Sequence, residues 1–170
     1  MKILLVYSSR TGNTKKVAEA IGEELGITPV PVEEMPDAAG CDLVLAGFWV
    51  DRGTADAKMK AYLEGLQGTR IAMFATLGAD PATEHAQHCL EAAVALPPAG
   101  NEVVGQFICQ GKIDETVLQM MAKKFLAGHP HALSPVWTQR VAAAASHPDA
   151  DDLAAARDYF RHLVDLLERD

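Results

Sequence analysis

The chain has 170 residues, of which 49% are hydrophobic, and its mean hydropathy is +0.03. These values are typical of a globular protein with a sizeable core, and we expect one domain over residues 1–170. The formal net charge of −8 argues against nucleic acids and anionic membranes as partners.

The sequence also indicates a compartment. No apolar run reaches the roughly 18–20 residues that a membrane span needs, and the first residues lack a signal-peptide pattern. The three cysteines lie far apart and form no C-x-x-C pair. We therefore expect a cytoplasmic protein with reduced thiols.

The chain opens with a strand, a polar turn and a helix. The apolar run Lys2–Tyr7 predicts a buried strand, and apolar residues at helical spacing predict a helix over Thr14–Leu25. The turn between them consists of Ser8, Ser9, Arg10, Thr11, Gly12, Asn13 and Thr14. A strand-to-helix turn of this kind points backbone N–H groups at one spot, where it suits a phosphate. Neither G-x-G-x-x-G nor the P-loop pattern is present.

The rest of the chain alternates between strand and helix patterns. Ile27–Val32 contains two prolines, so it can form only an edge strand or an extended segment. Further strands are predicted over Asp42–Gly47, Arg70–Thr76 and Glu102–Cys109. Helices are predicted over Thr54–Leu66, Pro81–Leu96, Asp114–Phe125 and Asp151–Leu167. The alternation predicts a doubly wound parallel α/β sheet in the order 2-1-3-4-5, which places the weak second strand at an edge.

In that order a ligand binds at the carboxyl ends of strands one and three. The polar turn follows strand one. The loop after strand three consists of Phe48, Trp49, Val50, Asp51, Arg52 and Gly53. Aromatic residues in a loop at a rigid sheet edge are suited to cover a flat ligand. Phe48 can equally belong to the core, and Trp49 can equally cover the next helix. The neighbouring loop contains Thr76, Leu77 and Gly78.

The segment Ser9–Thr14 resembles the T/S-x-T-G-x-T phosphate loop of flavodoxins, in the place where flavodoxins carry it. The resemblance covers roughly residues 1–110 well. It implies a flavodoxin-like fold, a five-stranded sheet in three α/β/α layers, and FMN as cofactor. It also implies that Trp49 stacks on the flavin ring, that Gly53 supplies a peptide that turns toward it, and that the backbone of residues 76–78 contacts its pyrimidine end.

The sequence departs from the flavodoxin pattern in two places. Flavodoxins usually place an aromatic residue in the third loop, over the outer face of the ring, and this chain has none there. The long stretch Gly128–Asp149, with two His-Pro pairs, has no counterpart in short flavodoxins. We expect this stretch to cover the outer face, or that face to be open to a partner. Trp137 is expected to lie away from the ring, while Lys112 is either at the flavin edge or solvated.

The resemblance implies electron transfer between redox partner proteins, and the acidic charge suits partners with basic docking surfaces. Two alternatives stay open: an FMN-dependent oxidoreductase acting on a quinone- or porphyrinogen-type substrate, and a non-redox phospho-ligand module. A carrier needs no catalytic residue of its own. No Ser/His/Asp arrangement is recognisable, and His85 and His88 lack a third metal ligand at standard spacing.

Overall fold

The structure, a computed structural model, describes residues 1–124 and 135–169. The His129-Pro130-His131 segment and Phe125, the predicted last residue of a helix, lie outside the described residues. The strands in chain order are β1 (Ile3–Tyr7), β2 (Val30–Pro31), β3 (Leu43–Asp51), β4 (Thr54–Ala55), β5 (Arg70–Leu77) and β6 (Glu102–Gln110). The helices are α1 (Asn13–Leu25), α2 (Ala57–Glu64), α3 (Glu84–Val94), α4 (Glu115–Lys124), α5 (Pro135–Ala144) and α6 (Ala150–Leu167).

Five strands form a parallel sheet in the order β2-β1-β3-β5-β6. This confirms the predicted order for the parallel strands. The two-residue β4, which the sequence analysis missed, pairs antiparallel with the end of β3. The edge strand β2 has only two residues, because Pro29 precedes it and Pro31 ends it and neither has a backbone N–H to donate. The sequence analysis predicted an edge strand there for this reason.

Helices cover both faces of the sheet, which confirms the three-layer α/β/α architecture. Residues of α1 and α6 pack on one face, and residues of α2 and α3 pack on the other. Along β3, Leu43 and Leu45 contact the first group, whereas Val44, Ala46 and Phe48 contact the second. The strands therefore read as continuous apolar runs because both faces of a parallel sheet are buried. None of the described helices combines the length and apolar character that a membrane crossing requires.

Helix α2 begins later than predicted because the chain first folds back on β3. Arg52 and Gly53, with φ angles of 49° and 84°, form the turn of a β3–β4 hairpin. Positive φ at both central residues is the geometry that a two-residue hairpin favours. Residue Asp56 then caps α2 by accepting hydrogen bonds from the N–H groups of Lys58 and Met59. Thr54 is thus a strand residue, and the predicted helix start there is wrong.

Two other helix starts differ in detail. Helix α3 begins at Glu84 rather than Pro81, because Thr83 is its N-cap and accepts from the N–H of Ala86. Helix α6 begins after Asp149, which forms a capping box with Asp152.

Candidate functional site

A pocket of about 360 Å³ lies at the carboxyl ends of the strands. The end of β3 and the loops after β1, β5 and β6 line it, together with α4 and α5. Residues 49–51, which we predicted to lie in a loop, are the last residues of β3. This is the switch point of the sheet. The strands β1 and β3 are neighbours there, and the helices that follow them, α1 and α2, lie on opposite faces of the sheet. The predicted site residues that line the pocket are Arg10, Thr11, Asn13, Trp49, Val50, Asp51, Thr76, Leu77 and Gly78.

The turn after β1 forms an open backbone cradle. Gly12 has a φ of 95°, and apart from its chain neighbours no atom of the described residues lies within 4 Å of the position that a Cβ would occupy there. Within the described part of the chain, the backbone N–H groups of Arg10, Thr11, Asn13 and Thr14 donate to no protein acceptor. Unpartnered N–H groups at a helix start fit a phosphate.

The four hydroxyl groups of this turn have different surroundings. Thr11 is exposed and lines the pocket. The Ser9 Oγ accepts from the N–H groups of Gly12 and Lys15, at 3.1 and 3.3 Å, which leaves its O–H able to donate. Buried Thr14 shares a hydrogen bond with the Thr76 hydroxyl, 2.9 Å between the oxygens.

The fourth hydroxyl, that of Ser8, points away from the cradle. It is buried and donates to Asp56 Oδ1 at 2.7 Å. Ser8 lines a second cavity of about 400 Å³, which shares the side chains of Arg10, Trp49 and Asp51 with the first.

Trp49 stands at the end of β3, half-buried, with the guanidinium carbon of Arg10 at 5.6 Å from the centre of its ring. Phe48, its neighbour in the strand, points to the other face of the sheet, as alternation requires. It is completely buried in the core against α2 and does not line the pocket. Arg52 and Gly53 occupy the hairpin turn and are likewise absent from the lining.

The loop after β6, residues 111–114, also lines the pocket and contacts the start of α1 and the end of β5. The Asn13 side chain donates to the Lys112 carbonyl at 2.9 Å, and the Gly111 N–H donates to the Leu77 carbonyl at 2.8 Å. A Cβ on Gly111 would come within 2.8 Å of Asn13 Nδ2, so this glycine allows the two loops to meet. Lys112 itself lines the pocket.

Helices α4 and α5 supply one wall of the pocket. Helix α5 lies in the stretch 128–149 that we expected to cover the outer face, whereas the sequence analysis did not assign α4 to the site. Val117, Met120 and Trp137 line the same pocket as Trp49. Trp137 therefore does not lie away from the site, contrary to the expectation from its position in the C-terminal stretch. The missing aromatic residue in the third loop was the available signal, because it left one side of the site without a cover.

The charges around the pocket are mixed. Arg10 and Lys112 oppose Asp51 and Asp114. Hydrogen bonds from the side chain and backbone of Thr116 hold the pKa of Asp114 below its usual value, and Arg10 adds to this effect. Cys109 is buried, and burial raises the pKa of its thiol to about 12. It is thus a packing residue rather than a nucleophile.

His147 contacts the β6 loop: its backbone carbonyl accepts a hydrogen bond from the Lys112 N–H at 2.7 Å. The His147 ring bonds to Asp152, with 2.5 Å between Nδ1 and Oδ2, and this hydrogen bond raises the pKa of His147. Asp149 Oδ2 lies 3.8 Å from the same ring nitrogen. These side chains form one cluster that could hold a metal, but Asp149 and Asp152 already cap α6.

Comparison with known proteins gives one family. The sequence model of the flavodoxin domain family matches residues 4–161 of this chain. The flavodoxin-like domain-containing protein BilS of Clostridioides difficile is 41% identical over 121 residues, which are 68% of this chain and 69% of that protein. The protein of the same description from Clostridium symbiosum is 30% identical over 183 aligned positions, covering 96% of this chain and 94% of that protein.

Solved structures share the fold. A flavoprotein from Lactobacillus acidophilus, crystallised in complex with FMN, has a TM-score of 0.50 and 18% identity, over 70% of this chain and 97% of that one. A WrbA-like flavodoxin from Agrobacterium tumefaciens has a TM-score of 0.50 and 15% identity, over 93% of this chain and 98% of that one.

Proposed function

The chain belongs to the flavodoxin domain family, and on that premise we propose that it binds FMN and carries electrons between redox partner proteins. The observation that carries the proposal is one pocket that joins an open backbone cradle to a tryptophan at the switch point. Its volume of about 360 Å³ falls in the range of small-molecule sites, roughly 300–1,000 Å³. The cofactor supplies the redox chemistry, and the protein supplies orientation and electrostatics.

The phosphate end of the site is the turn after β1. The N–H groups of Arg10, Thr11, Asn13 and Thr14 are available as donors, and the hydroxyls of Ser9 and Thr11 can add to them. Such an arrangement favours a dianionic phosphate over a neutral group, because several dipoles converge on one point.

The ring end lies between the β3–β4 hairpin and the helical wall. Trp49 offers an aromatic side chain at the hairpin, and Met120 and Trp137 of the helices line the same pocket. Leu77, at the end of β5, and Gly78, which follows it, complete this part of the lining. We propose that the helical wall takes over the role of the aromatic residue that the third loop lacks.

The protein is proposed to act in the cytoplasm on partners with basic docking surfaces. The net charge of −8 supports this view, because complementary charge steers encounter between redox proteins. The carrier role requires no proton transfer by the chain.

An absorption spectrum of the purified chain, recorded with FMN through stepwise reduction, tests the proposal. We expect flavin bands that persist through gel filtration and tighter binding of FMN than of riboflavin. A chain that takes up no flavin would contradict the proposal and favour the non-redox phospho-ligand module.

A second candidate is an FMN-dependent oxidoreductase acting on a small quinone- or porphyrinogen-type substrate. The observation in its favour is the wall of Val117, Met120 and Trp137, since a roofed pocket can also enclose a substrate. Sustained turnover of NAD(P)H with a quinone by the pure protein would favour this candidate. Reduction that needs a protein partner would favour the carrier.

A further inference from the structure

Asp56 is a buried acid at the junction of three elements. Only 2% of its surface is exposed. Its Oδ1 accepts from the Ser8 hydroxyl at 2.7 Å and from the N–H groups of Lys58 and Met59 at 3.1 and 3.4 Å. Its own N–H donates to the Trp49 carbonyl at 3.2 Å. One residue thereby bonds to the end of β1, the end of β3 and the start of α2.

Helix capping alone does not account for this arrangement. An N-cap needs a side-chain oxygen near the first free N–H groups, and an exposed Ser, Thr, Asn or Asp meets that need. Asp56 Oδ2 is buried and accepts no hydrogen bond from the described residues. Burial raises the pKa of Asp56, although its hydrogen bonds oppose that shift. Burying a carboxyl group with one unpartnered oxygen lowers the free energy of unfolding. Because an exposed cap would avoid this cost, the buried bond between Asp56 and Ser8 calls for a role other than capping.

The bond joins the two halves of the site. Ser8 is the first residue of the phosphate turn, residues 8–14, and its N–H continues the β1–β3 ladder by donating to the Gly47 carbonyl at 2.8 Å. Asp56 follows the β3–β4 hairpin directly, and Trp49 stands at the base of that hairpin. Holding Ser8 and Asp56 together therefore fixes the hairpin relative to the phosphate turn.

We propose that Asp56 is a positioning residue, which, through Ser8, sets the place of the Trp49 hairpin against the phosphate turn. Ser8 then contributes to flavin binding through Asp56 and not by contact with the phosphate. The part of this inference that concerns affinity rests on the proposed function, whereas the part that concerns the hairpin holds for the protein without ligand.

The test compares riboflavin with FMN in the variant Ser8→Ala, which removes the link and leaves the helix cap in place. A positioning role predicts that both ligands bind weaker, riboflavin included, each by at least about threefold, as for coupled neighbours. Asp56→Asn, which keeps an acceptor oxygen, should retain most of the affinity. Thr83→Ala is the matched control, because it removes the N-cap of α3, away from both loops, and should leave both affinities unchanged.

Hydrogen exchange of the ligand-free protein tests the positioning role of Asp56 separately from the proposal that the chain binds FMN. Ser8→Ala should speed exchange of the amides of residues 50–56, while Thr83→Ala should not, and this result would support the positioning role even if the wild type bound no flavin. Loss of FMN affinity with unchanged riboflavin affinity would make Ser8 a phosphate ligand and overturn the inference. Unchanged exchange in the hairpin would overturn it as well. A Ser8→Ala chain that does not fold is replaced by Ser8→Cys, a close isostere with a weaker donor, judged on the same measurements.

Discussion

The guanidinium carbon of Arg10 lies 5.6 Å from the centre of the Trp49 ring, so a cation from the turn after β1 contacts the aromatic residue at the base of the β3–β4 hairpin. A contact of this kind is worth about 0.5–1 kcal/mol at an exposed site. Both side chains also line the pocket. The contact thus joins two loops and brings a positive charge close to the proposed position of the ring.

Arg10→Gln should lower the reduction potential of the bound flavin. The reduced cofactor carries more negative charge than the oxidised one, so a nearby cation favours reduction and its removal disfavours it. The free energy of unfolding should also fall by about 0.5–1 kcal/mol through loss of the contact with Trp49. Spectroelectrochemical titration and urea unfolding measure the two effects.

Arg52→Gln provides the control. It makes the same change of charge in the hairpin turn, outside the pocket lining. We expect a much smaller shift in potential. Equal shifts for Arg52→Gln and Arg10→Gln would mean that net charge, and not the position of Arg10, sets the potential.

Thr11→Ala should weaken FMN more than riboflavin, because the two ligands differ by the phosphate. Thr11 is the exposed hydroxyl of the turn and lines the pocket. A lost hydrogen bond to a charged group costs roughly 1.5–3 kcal/mol, which is about tenfold or more in affinity. Titration of both ligands into the ligand-free protein measures the difference. An equal loss for both would place the phosphate elsewhere.

Thr14→Val should destabilise the fold, because Thr14 is buried and bonds to Thr76 across the base of the site. The substitution leaves the Thr76 hydroxyl buried without that partner, at a cost of about 1–3 kcal/mol in the free energy of unfolding. The double variant with Thr76→Val should cost less than the sum of the single changes. Additive losses in urea unfolding would mean that this bond contributes nothing measurable.

The fold was predictable because its signals are local. Buried runs such as Arg70–Thr76 alternate with helical spacing, and the prolines near Val30 indicate an edge strand. The hairpin was missed because β4 has only two residues, and its turn contains Arg52, a residue type that is uncommon at positive φ.

The sequence predicted which segments meet at the pocket but not which side chains form hydrogen bonds there. The turn after β1 and Trp49 line one pocket because their strands are neighbours in the sheet, and the order of the strands was predictable. The bonds from Ser8 to Asp56 and from Thr14 to Thr76 join residues 48 and 62 positions apart. Such pairs depend on the register of neighbouring strands, which no local pattern specifies.

His147 makes stability depend on pH above the ordinary pKa of a histidine. Its hydrogen bond with Asp152 raises its pKa in the folded state, with Asp149 also facing the ring. The stabilisation is therefore fully present below the unfolded pKa of about 6.5 and is lost as pH rises through the higher folded value. We expect the free energy of unfolding to fall across that window in the wild type and to be flatter in His147→Asn.

The control for this prediction is His88→Asn, since His88 is exposed on α3. It should retain the wild-type slope in urea unfolding between pH 6 and 9, a window placed about the usual histidine pKa. An identical slope in wild type and His147→Asn would show that the pair with Asp152 does not govern stability there.

Trp137 should contact the flavin from the side opposite Trp49. The chain has two tryptophans, and both line the same pocket. Each single-tryptophan variant, Trp49→Phe and Trp137→Phe, should therefore lose much of its remaining indole emission when FMN binds. Trp137→Ala should weaken FMN and riboflavin equally, because only the ring is touched.

The size of that loss follows from the surface of a large aromatic side chain. Removing it forfeits buried apolar area and about 0.5–1.5 kcal/mol of aromatic pairing. Val136→Ala is the matched control: Val136 adjoins Trp137 on α5, is 58% exposed and does not line the pocket. It should leave both affinities unchanged. If Trp137 keeps its full emission on FMN binding in the Trp49→Phe variant, the α5 wall does not cover the ring. Val117, Met120 and the β6 loop would then be the remaining lining outside the sheet, which leaves the outer face accessible to a partner.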